Sequence, residues 1–365
     1  NMTQKYYSPS AINRKNATYN LIFGERSNGK TYALLKQGIV DYLKDGSQLA
    51  YVRRWKEDII GRRASRLFSA LCENGEVEKL SNGLYTGIHY WAGKFFLCNY
   101  DDNGKAIYSD LDIICFPFAL SDGEHDKSTS FPKIKTIVFD EFLTNKIYLN
   151  DEFVLFMNTI STIVRKRDDV KIYMLGNTVN KFCPYFKEMG LDHIQQQKQG
   201  TIEIYKYGES KLITAVEYCA SLQDKNSPTV NKYFAFNNPK LEMITGGAWE
   251  LSLYPHLPYK YKPKNVVLTY YIEFNDNIYA CEIIELDDQV FTYIHAKTTP
   301  ISKPDNQLIY SLDYNSKPNY NRNMFSPMTK AQQRILWFFK HDKVFYQNNN
   351  IGDTISNYLK TCKKL

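Results

Sequence analysis

Eight consecutive residues carry the most legible chemistry in the chain: Gly24, Glu25, Arg26, Ser27, Asn28, Gly29, Lys30 and Thr31, read as GERSNGKT. A glycine, four loop residues and then Gly-Lys-Thr is the spacing of a Walker A phosphate loop. Backbone N–H groups of such a loop, and the N-terminus of the helix behind it, face anionic phosphates. Lys30 can then reach β and γ oxygens, and the Thr31 hydroxyl can take a place on Mg²⁺. A second anchor follows 110 positions after Lys30, where Thr136, Ile137, Val138 and Phe139 end in Asp140 and Glu141. An aspartate at the carboxyl end of an apolar strand can support the metal, and the adjacent glutamate can orient or deprotonate an attacking water. Asp-Glu after an apolar strand is common alone. Paired with the loop, it becomes a specific sign of a nucleotide site with Mg²⁺.

Further groups could complete such a site. The helical run Phe153 to Val164 ends in Arg165, Lys166 and Arg167. Cations there either complement the helix dipole or supply an arginine finger to the γ-phosphate of a neighbouring subunit. Asn177 follows the apolar run Val170 to Leu175, either as part of a turn or as a polar strand end beside the γ-phosphate. Arg53, Arg54, Trp55 and Lys56, then Arg62, Arg63 and Arg66, interleave basic and aromatic residues. They form either a solvated helix face or a surface that contacts nucleic-acid phosphates, with Arg54 and Arg62 among the candidates.

The elements that must position these groups follow from periodicity. Leu21 to Phe23 reads as a buried strand, Lys30 to about Leu43 as the helix after the loop, and Leu49 to Val52 as a second strand. An amphipathic helix is expected to end near Leu71, and residues 75 to 110 read as β-rich, with LYTGIHYW and KFFLCNY as strands. Leu111 to Ala119 and Lys135 to Leu143 are further core strands, and Ser121 to Phe131 is a polar loop or lid containing Lys127. Apolar runs alternating with helices predict an open α/β sheet with its ligand at the carboxyl ends of the strands. The strand order suits the P-loop class with an additional strand and a catalytic glutamate.

The expected domains are a P-loop ATPase domain over 1–195, a linker subdomain over 196–228 carrying one helix or hairpin, and a second, smaller α/β domain over 229–365. In the last, Tyr233 to Phe236, Val266 to Phe274, Ile278 to Leu286 and Val290 to His295 read as strands. Thr329 to Lys340 and Thr354 to Lys363 read as helices. Glu273, Asp276, Asp287, Asp288 and Asp313 raise a two-metal nuclease hypothesis, although acids at hairpin turns are usually solvated.

Composition narrows the class without deciding it. The chain has 365 residues, 43% hydrophobic and 15% aromatic, enough for two folded domains. A net charge of +7 suits a polyanionic partner. No segment approaches the roughly eighteen uninterrupted apolar residues of a membrane span, and no signal-peptide pattern precedes the first strand, so a soluble intracellular protein is expected. Seven cysteines without a CxxC pair point to reduced thiols.

GERSNGKT, HDKSTSFPKIKTIVFDEF, VRKRDDV and LGNTV together make the chain resemble the DNA packaging ATPase (encapsidation protein) of phi29-like tailed phages. The resemblance implies a pentameric ring at the portal vertex of an empty capsid, driving double-stranded DNA inward with ATP, in the host cytoplasm and away from any membrane. It implies that Lys30 and Thr31 bind phosphate and Mg²⁺, that Asp140 supports the metal and that Glu141 is the catalytic base. Arg165 corresponds to the finger acting in trans, Lys127 to a second such cation, Asn177 to a coupling residue, and Lys56 to a DNA-facing loop. A C-terminal RNase H-like domain without its catalytic acids, and contacts to the portal protein and a packaging RNA, are further family features. A helicase-type remodelling ATPase would share every Walker feature, and a nucleotide-gated structural protein would share the loop; duplex unwinding and hydrolysis separate these alternatives.

Overall fold

The computed structural model describes residues 6–122, 128–222, 232–233, 235–236, 249 and 253–362. The chain separates into two compact units, Asn1–Glu250 and Leu251–Leu365.

The first unit is built on β1 (Tyr19–Gly24), β2 (Gln48–Arg53), β3 (Gly87–Trp91), β4 (Lys94–Tyr100), β5 (Ala106–Ile107), β6 (Ile113–Ala119), β7 (Ile134–Asp140), β8 (Lys171–Asn177), β9 (Thr201–Lys206) and β10 (Ile213–Tyr218). Their order is β3-β4-β6-β2-β7-β8-β1-β10-β9, with β5 paired to β4. From β6 to β10 all neighbours are parallel, and antiparallel strands close both edges. Parallel strands buried on both faces must be apolar at nearly every position, and β1 obeys: Leu21 and Phe23 join one core, Ile22 the other. The same alternation puts Val52, Phe139 and Met174 on the first face and Tyr51, Val138 and Leu175 on the second. The helix Glu152–Val164 covers the first face through Phe156, Ile160 and Ile163, and the helix Lys30–Asp45 covers the second through Leu34, Leu35 and Ile39.

Several sequence expectations change. The run expected to be β-rich from residue 75 begins with a helix, Glu76–Leu80, after two of equal length at Gly61–Ser65 and Ser69–Glu73. The segment expected to be a linker places its hairpin in the main sheet: β10 pairs with β1, Leu21 opposite Val216, and β9 closes the edge. Trp249 also belongs to this core, its ring 5.2 Å from that of Phe23. The first unit therefore does not close near 195. The polar residues flanking the hairpin hid a strand whose buried residues, Thr214, Ala215 and Val216, complete the sheet.

Arg54 is the clearest correction, because it is buried and cannot reach DNA. Its Nε and Nη2 donate to Glu152 Oε1 at 2.5 Å and Oε2 at 3.1 Å, and Tyr185 donates to the same carboxylate at 2.6 Å. Arg54 also donates to Glu141 O at 3.1 Å and Phe142 O at 2.9 Å, and its guanidinium lies 4.8 Å from the centre of the Tyr148 ring. It ties β2 to the loop after β7 and to the Glu152–Val164 helix.

In the second unit, β11 (Val266–Phe274), β12 (Asn277–Leu286) and β13 (Gln289–Ala296) form an antiparallel meander. The strands β14 (Ile309–Ser311), β15 (Tyr320–Asn321) and β16 (Val344–Tyr346) add in parallel, giving the order β15-β14-β11-β12-β13-β16. The helices are Lys330–Lys340 and Asn349–Cys362, the second starting five residues before the expected Thr354. The short strands β14 to β16 were not expected. The strand expected at Tyr233 to Phe236 is not seen in its described residues: Tyr233 is helical, Ala235 has no regular structure and Phe236 lies at a bend, while residue 234 lies outside the described residues. Asp276 and Asp287 occupy hairpin turns at φ +60° and +52°, the solvated reading of those acids. Among the described residues no group of three His, Cys, Asp or Glu side chains is placed to hold a metal, and no helix is long and apolar enough to cross a membrane. All seven cysteines are free thiols.

Removing Arg54 strands a buried carboxylate, so Arg54→Ala is expected to cost about 3–5 kcal/mol. Chemical denaturation checks this, with the exposed Arg62→Ala expected to leave stability unchanged.

Candidate active site

Where β1 ends, the chain turns back on itself to enter the Lys30–Asp45 helix, and only a left-handed backbone makes so tight a loop. Ser27 sits at φ +57° and Gly29 at φ +86°. Gly29 also lies under the Tyr6 ring, where an added Cβ would meet Cδ1 at 3.3 Å. The Tyr7 N–H donates to Asn28 O at 2.8 Å, so the chain before β1 braces the loop.

Lys30 is buried, and its three donors are all occupied: Glu25 O at 2.7 Å, Asn28 Oδ1 at 2.9 Å and Asn177 Oδ1 at 3.2 Å. Burial lowers its pKa, while Cys219, Asp140 and Glu25 pull it back upward. The Thr31 hydroxyl lies 3.1 and 3.0 Å from the two oxygens of Asp140. Tyr51 donates to Asp140 Oδ2 at 2.8 Å, and the Glu141 N–H donates to Oδ1 at 3.0 Å. A hydroxyl and a carboxylate, both hard oxygen donors, fit Mg²⁺, which favours one or two protein oxygens together with substrate phosphate.

Glu141 is exposed and left-handed at φ +58°, an unusual backbone for a glutamate. Its carboxylate pairs with Arg53 at 2.9 Å. Arg53 reaches Asp58 at 3.2 Å and Tyr51 OH at 3.4 Å as well. Burial alone would lower the guanidinium pKa, but Tyr51, Glu141 and Asp140 raise it beyond the ordinary arginine value.

An open cavity of about 210 Å³ is lined by residues 27–32 with Asp140, Glu141, Gly176 and Asn177. The structure thus brings together Gly24 through Thr31, Asp140, Glu141 and Asn177. Gly24, Glu25 and Arg26 are not among the lining residues; Glu25 is buried and Arg26 is exposed. Arg165 is not in the cavity wall. It is exposed at the end of its helix, with Nη2 donating to Thr129 O at 2.7 Å. Arg167 is committed to carbonyls of Phe131, Pro132, Ile134 and Ile163 at 2.8 to 3.1 Å and is half-buried, whereas Arg165 is exposed. Lys127 lies outside the described residues. Lys56 pairs with Asp122 at 3.3 Å on the surface, and Arg62 is exposed near it in sequence. Sequence reading missed Tyr51 and Arg53 as site residues. Their period-2 spacing puts both on one face of β2, but only the β2–β7 register, Tyr51 opposite Val138, places that face beside the carboxylates.

Residues 2–198 match the podovirus DNA encapsidation protein (Gp16) family. The chain belongs to that family. It is 27% identical over 184 residues to the DNA packaging protein of Bacillus phage phi29, and 29% identical over 175 residues to that of Bacillus phage B103. The matched stretches span about half of each relative, 49% and 48%. Among solved structures, the fold resembles the Phi-28 gp11 DNA packaging motor, with a TM-score of 0.56, 18% identity and 99% of each chain covered. It also resembles the chain of the bacteriophage Phi-29 viral genome packaging motor assembly, with a TM-score of 0.57, 19% identity, and 97% of this chain and 99% of that one covered.

Gly29→Ala is expected to destabilise the protein by about 1–2 kcal/mol, because a Cβ is costly in the left-handed region. A lowered melting temperature checks it, with Gly104→Ala, left-handed at φ +77° but open to solvent on a surface turn, separating the backbone cost from the Tyr6 contact.

Proposed function

We propose that this Gp16-family chain is an ATP-driven motor that moves double-stranded DNA into a preformed capsid, hydrolysing ATP at subunit interfaces of a homo-oligomeric, pentameric ring. The observation that carries the reading is the convergence of Lys30, Thr31, Asp140, Glu141 and Asn177 on one open cavity in whose lining, among the described residues, Lys30 is the one cation, so that a second positive group is wanted for the far side of the γ-phosphate. A neighbouring subunit would supply that group through Arg165, with Lys127 as a second cation. The position of β8 between β1 and β7 supports the additional-strand, catalytic-glutamate class.

In this mechanism the loop N–H groups and Lys30 bind the phosphates of ATP. Thr31 and Asp140 would hold Mg²⁺, which supplies charge neutralisation on the β and γ oxygens. Glu141 leaves Arg53, orients a water and accepts its proton as the water oxygen bonds to the γ-phosphorus; ADP departs with the electron pair of the broken P–O bond. Asn177 touches Lys30 at a strand end and is the residue suited to pass the loss of the γ-phosphate to the domain. Lys56 and Arg62 are the exposed cations proposed to grip the DNA backbone without reading sequence.

The second unit is proposed to be an RNase H-like domain without nuclease activity. An antiparallel meander with β14 and β15 added in parallel beside β11 supports the fold, and the turn positions of Asp276 and Asp287 support the loss of catalysis. Portal protein and a packaging RNA are its proposed partners, at the portal vertex in the host cytoplasm.

ATP hydrolysis measured over a range of protein concentrations tests the shared site. Glu141→Gln and Arg165→Ala are each expected to lose about 10³-fold in turnover, and an equimolar mixture of the two to recover part of it. Full activity of Arg165→Ala at every concentration would sink the trans finger. A second expectation concerns the DNA: translocation on duplex without strand separation, and no cleavage when Mn²⁺ is supplied. Unwinding of a forked duplex would instead favour a helicase.

A further inference from the structure

A carboxylate that phosphate binding does not need ties the loop to the chain leaving β10. Glu25 is 3% exposed, a rare position for glutamate. Both its oxygens are engaged: Oε1 accepts the Leu222 N–H at 2.7 Å, and Oε2 accepts the Ser221 hydroxyl at 3.0 Å. These partners follow Cys219, whose own N–H donates to Phe23 O at 2.9 Å at the end of β1. On the backbone side of the same residue, the Glu25 carbonyl accepts Lys30 Nζ at 2.7 Å. One residue therefore joins the phosphate-binding ammonium to residues 219–222, through which the chain continues toward the second unit at Leu251.

We propose that Glu25 is a positioning residue of the nucleotide site: it fastens the phosphate loop to Ser221 and Leu222, so that loop occupancy and the order of that segment change together. The inference rests on nucleotide binding at Lys30 as proposed above. Bonds from an N–H and a hydroxyl to a carboxylate are charge-assisted and stronger than neutral ones. A phosphate that draws Lys30 away frees the Glu25 carbonyl but leaves its carboxylate fastened. The resulting movement of residue 25 is then passed to residues 221–222. Conversely, disorder in that segment would loosen the loop.

The test is hydrogen–deuterium exchange of the full chain, followed in peptides spanning residues 219–222, with and without a non-hydrolysable ATP analogue. Affinity for the analogue, kcat and KM are measured beside it. Glu25→Ala is expected to speed exchange at the Leu222 amide by about tenfold or more, the effect of losing a charge-assisted bond. Ser221→Ala should do so less, and Glu25→Gln, which keeps an acceptor for the Leu222 N–H, should restore most of the protection. The analogue should alter exchange there in the wild type and in Glu25→Gln but not in Glu25→Ala. In Glu25→Ala the KM and the analogue Kd should rise about tenfold with kcat nearly unchanged, the signature of lost ground-state binding. Equal exchange in wild type and Glu25→Ala, or a nucleotide response that survives in Glu25→Ala, overturns the link. If Glu25→Ala does not fold, Ser221→Ala supplies the same comparison with the charge kept. If the wild type binds no analogue, the nucleotide reading fails, while the exchange difference without nucleotide still decides whether Glu25 holds the segment.

Discussion

The first unit depends on one hydrogen bond between distant residues: the Thr31 hydroxyl and the Asp140 carboxylate, 3.0 Å apart and 109 positions removed in the chain. The strands that carry them are not neighbours, since β8 lies between β1 and β7. Adjacent strands are spaced by about 4.8 Å, so the phosphate loop must curl across the end of β8 to meet the acid. That is possible because the strand ends lie close in register, β7 stopping two residues short of β8 and β1. Gly24 is opposite Asn177, and Asp140 is opposite Leu175. A slip of one residue would turn each side chain to the other face. The two hydrophobic cores, each taking alternate residues of every central strand, resist that slip.

Charge is handled differently at different depths. The Arg54–Glu152 pair is sealed in the core and supported by further hydrogen bonds from Tyr185 and to the carbonyls of Glu141 and Phe142, as a buried ion pair requires. Lys30, by contrast, rests on a carbonyl and two amide oxygens. Neutral acceptors satisfy an ammonium while releasing it to phosphate more readily than a carboxylate would. Glu141 stands on a left-handed backbone at the cavity edge with Arg53 as its counter-ion. Strain of this kind persists where the surrounding structure holds it in place, and Arg54, donating to the Glu141 carbonyl, is part of that hold.

The basic triplet after the Glu152–Val164 helix divides its work in the same way. Arg167 fills carbonyls in residues 131–134 and at the helix end, fixing the turn from beneath. Arg165, exposed on that fixed base at φ +51°, rests on the Thr129 carbonyl. A rigid support beneath an accessible cation limits the entropy lost when the cation meets a partner.

By itself the sequence determined the parts whose signal is local. The phosphate loop, the Asp140–Glu141 pair at a strand end, the helix after Gly29 and the three long strands of the second unit follow from periodicity and loop chemistry within a dozen residues. Tertiary structure alone decided what depends on strand order. Arg54 and its neighbour Arg53 look alike in the sequence, yet period-2 alternation sends Arg54 into the core toward Glu152 and Arg53 to the carboxylates at the cavity. The hairpin of β9 and β10 has the composition of a linker between polar flanks, and becomes part of the sheet only because β1 offers it an open edge. The short strands β14 to β16 carry too few residues for a pattern and exist by pairing. Glu25 occupies a variable position of the loop motif, and its partners lie nearly two hundred positions away. Local chemistry is written in neighbouring residues; partners across a sheet are chosen by the fold.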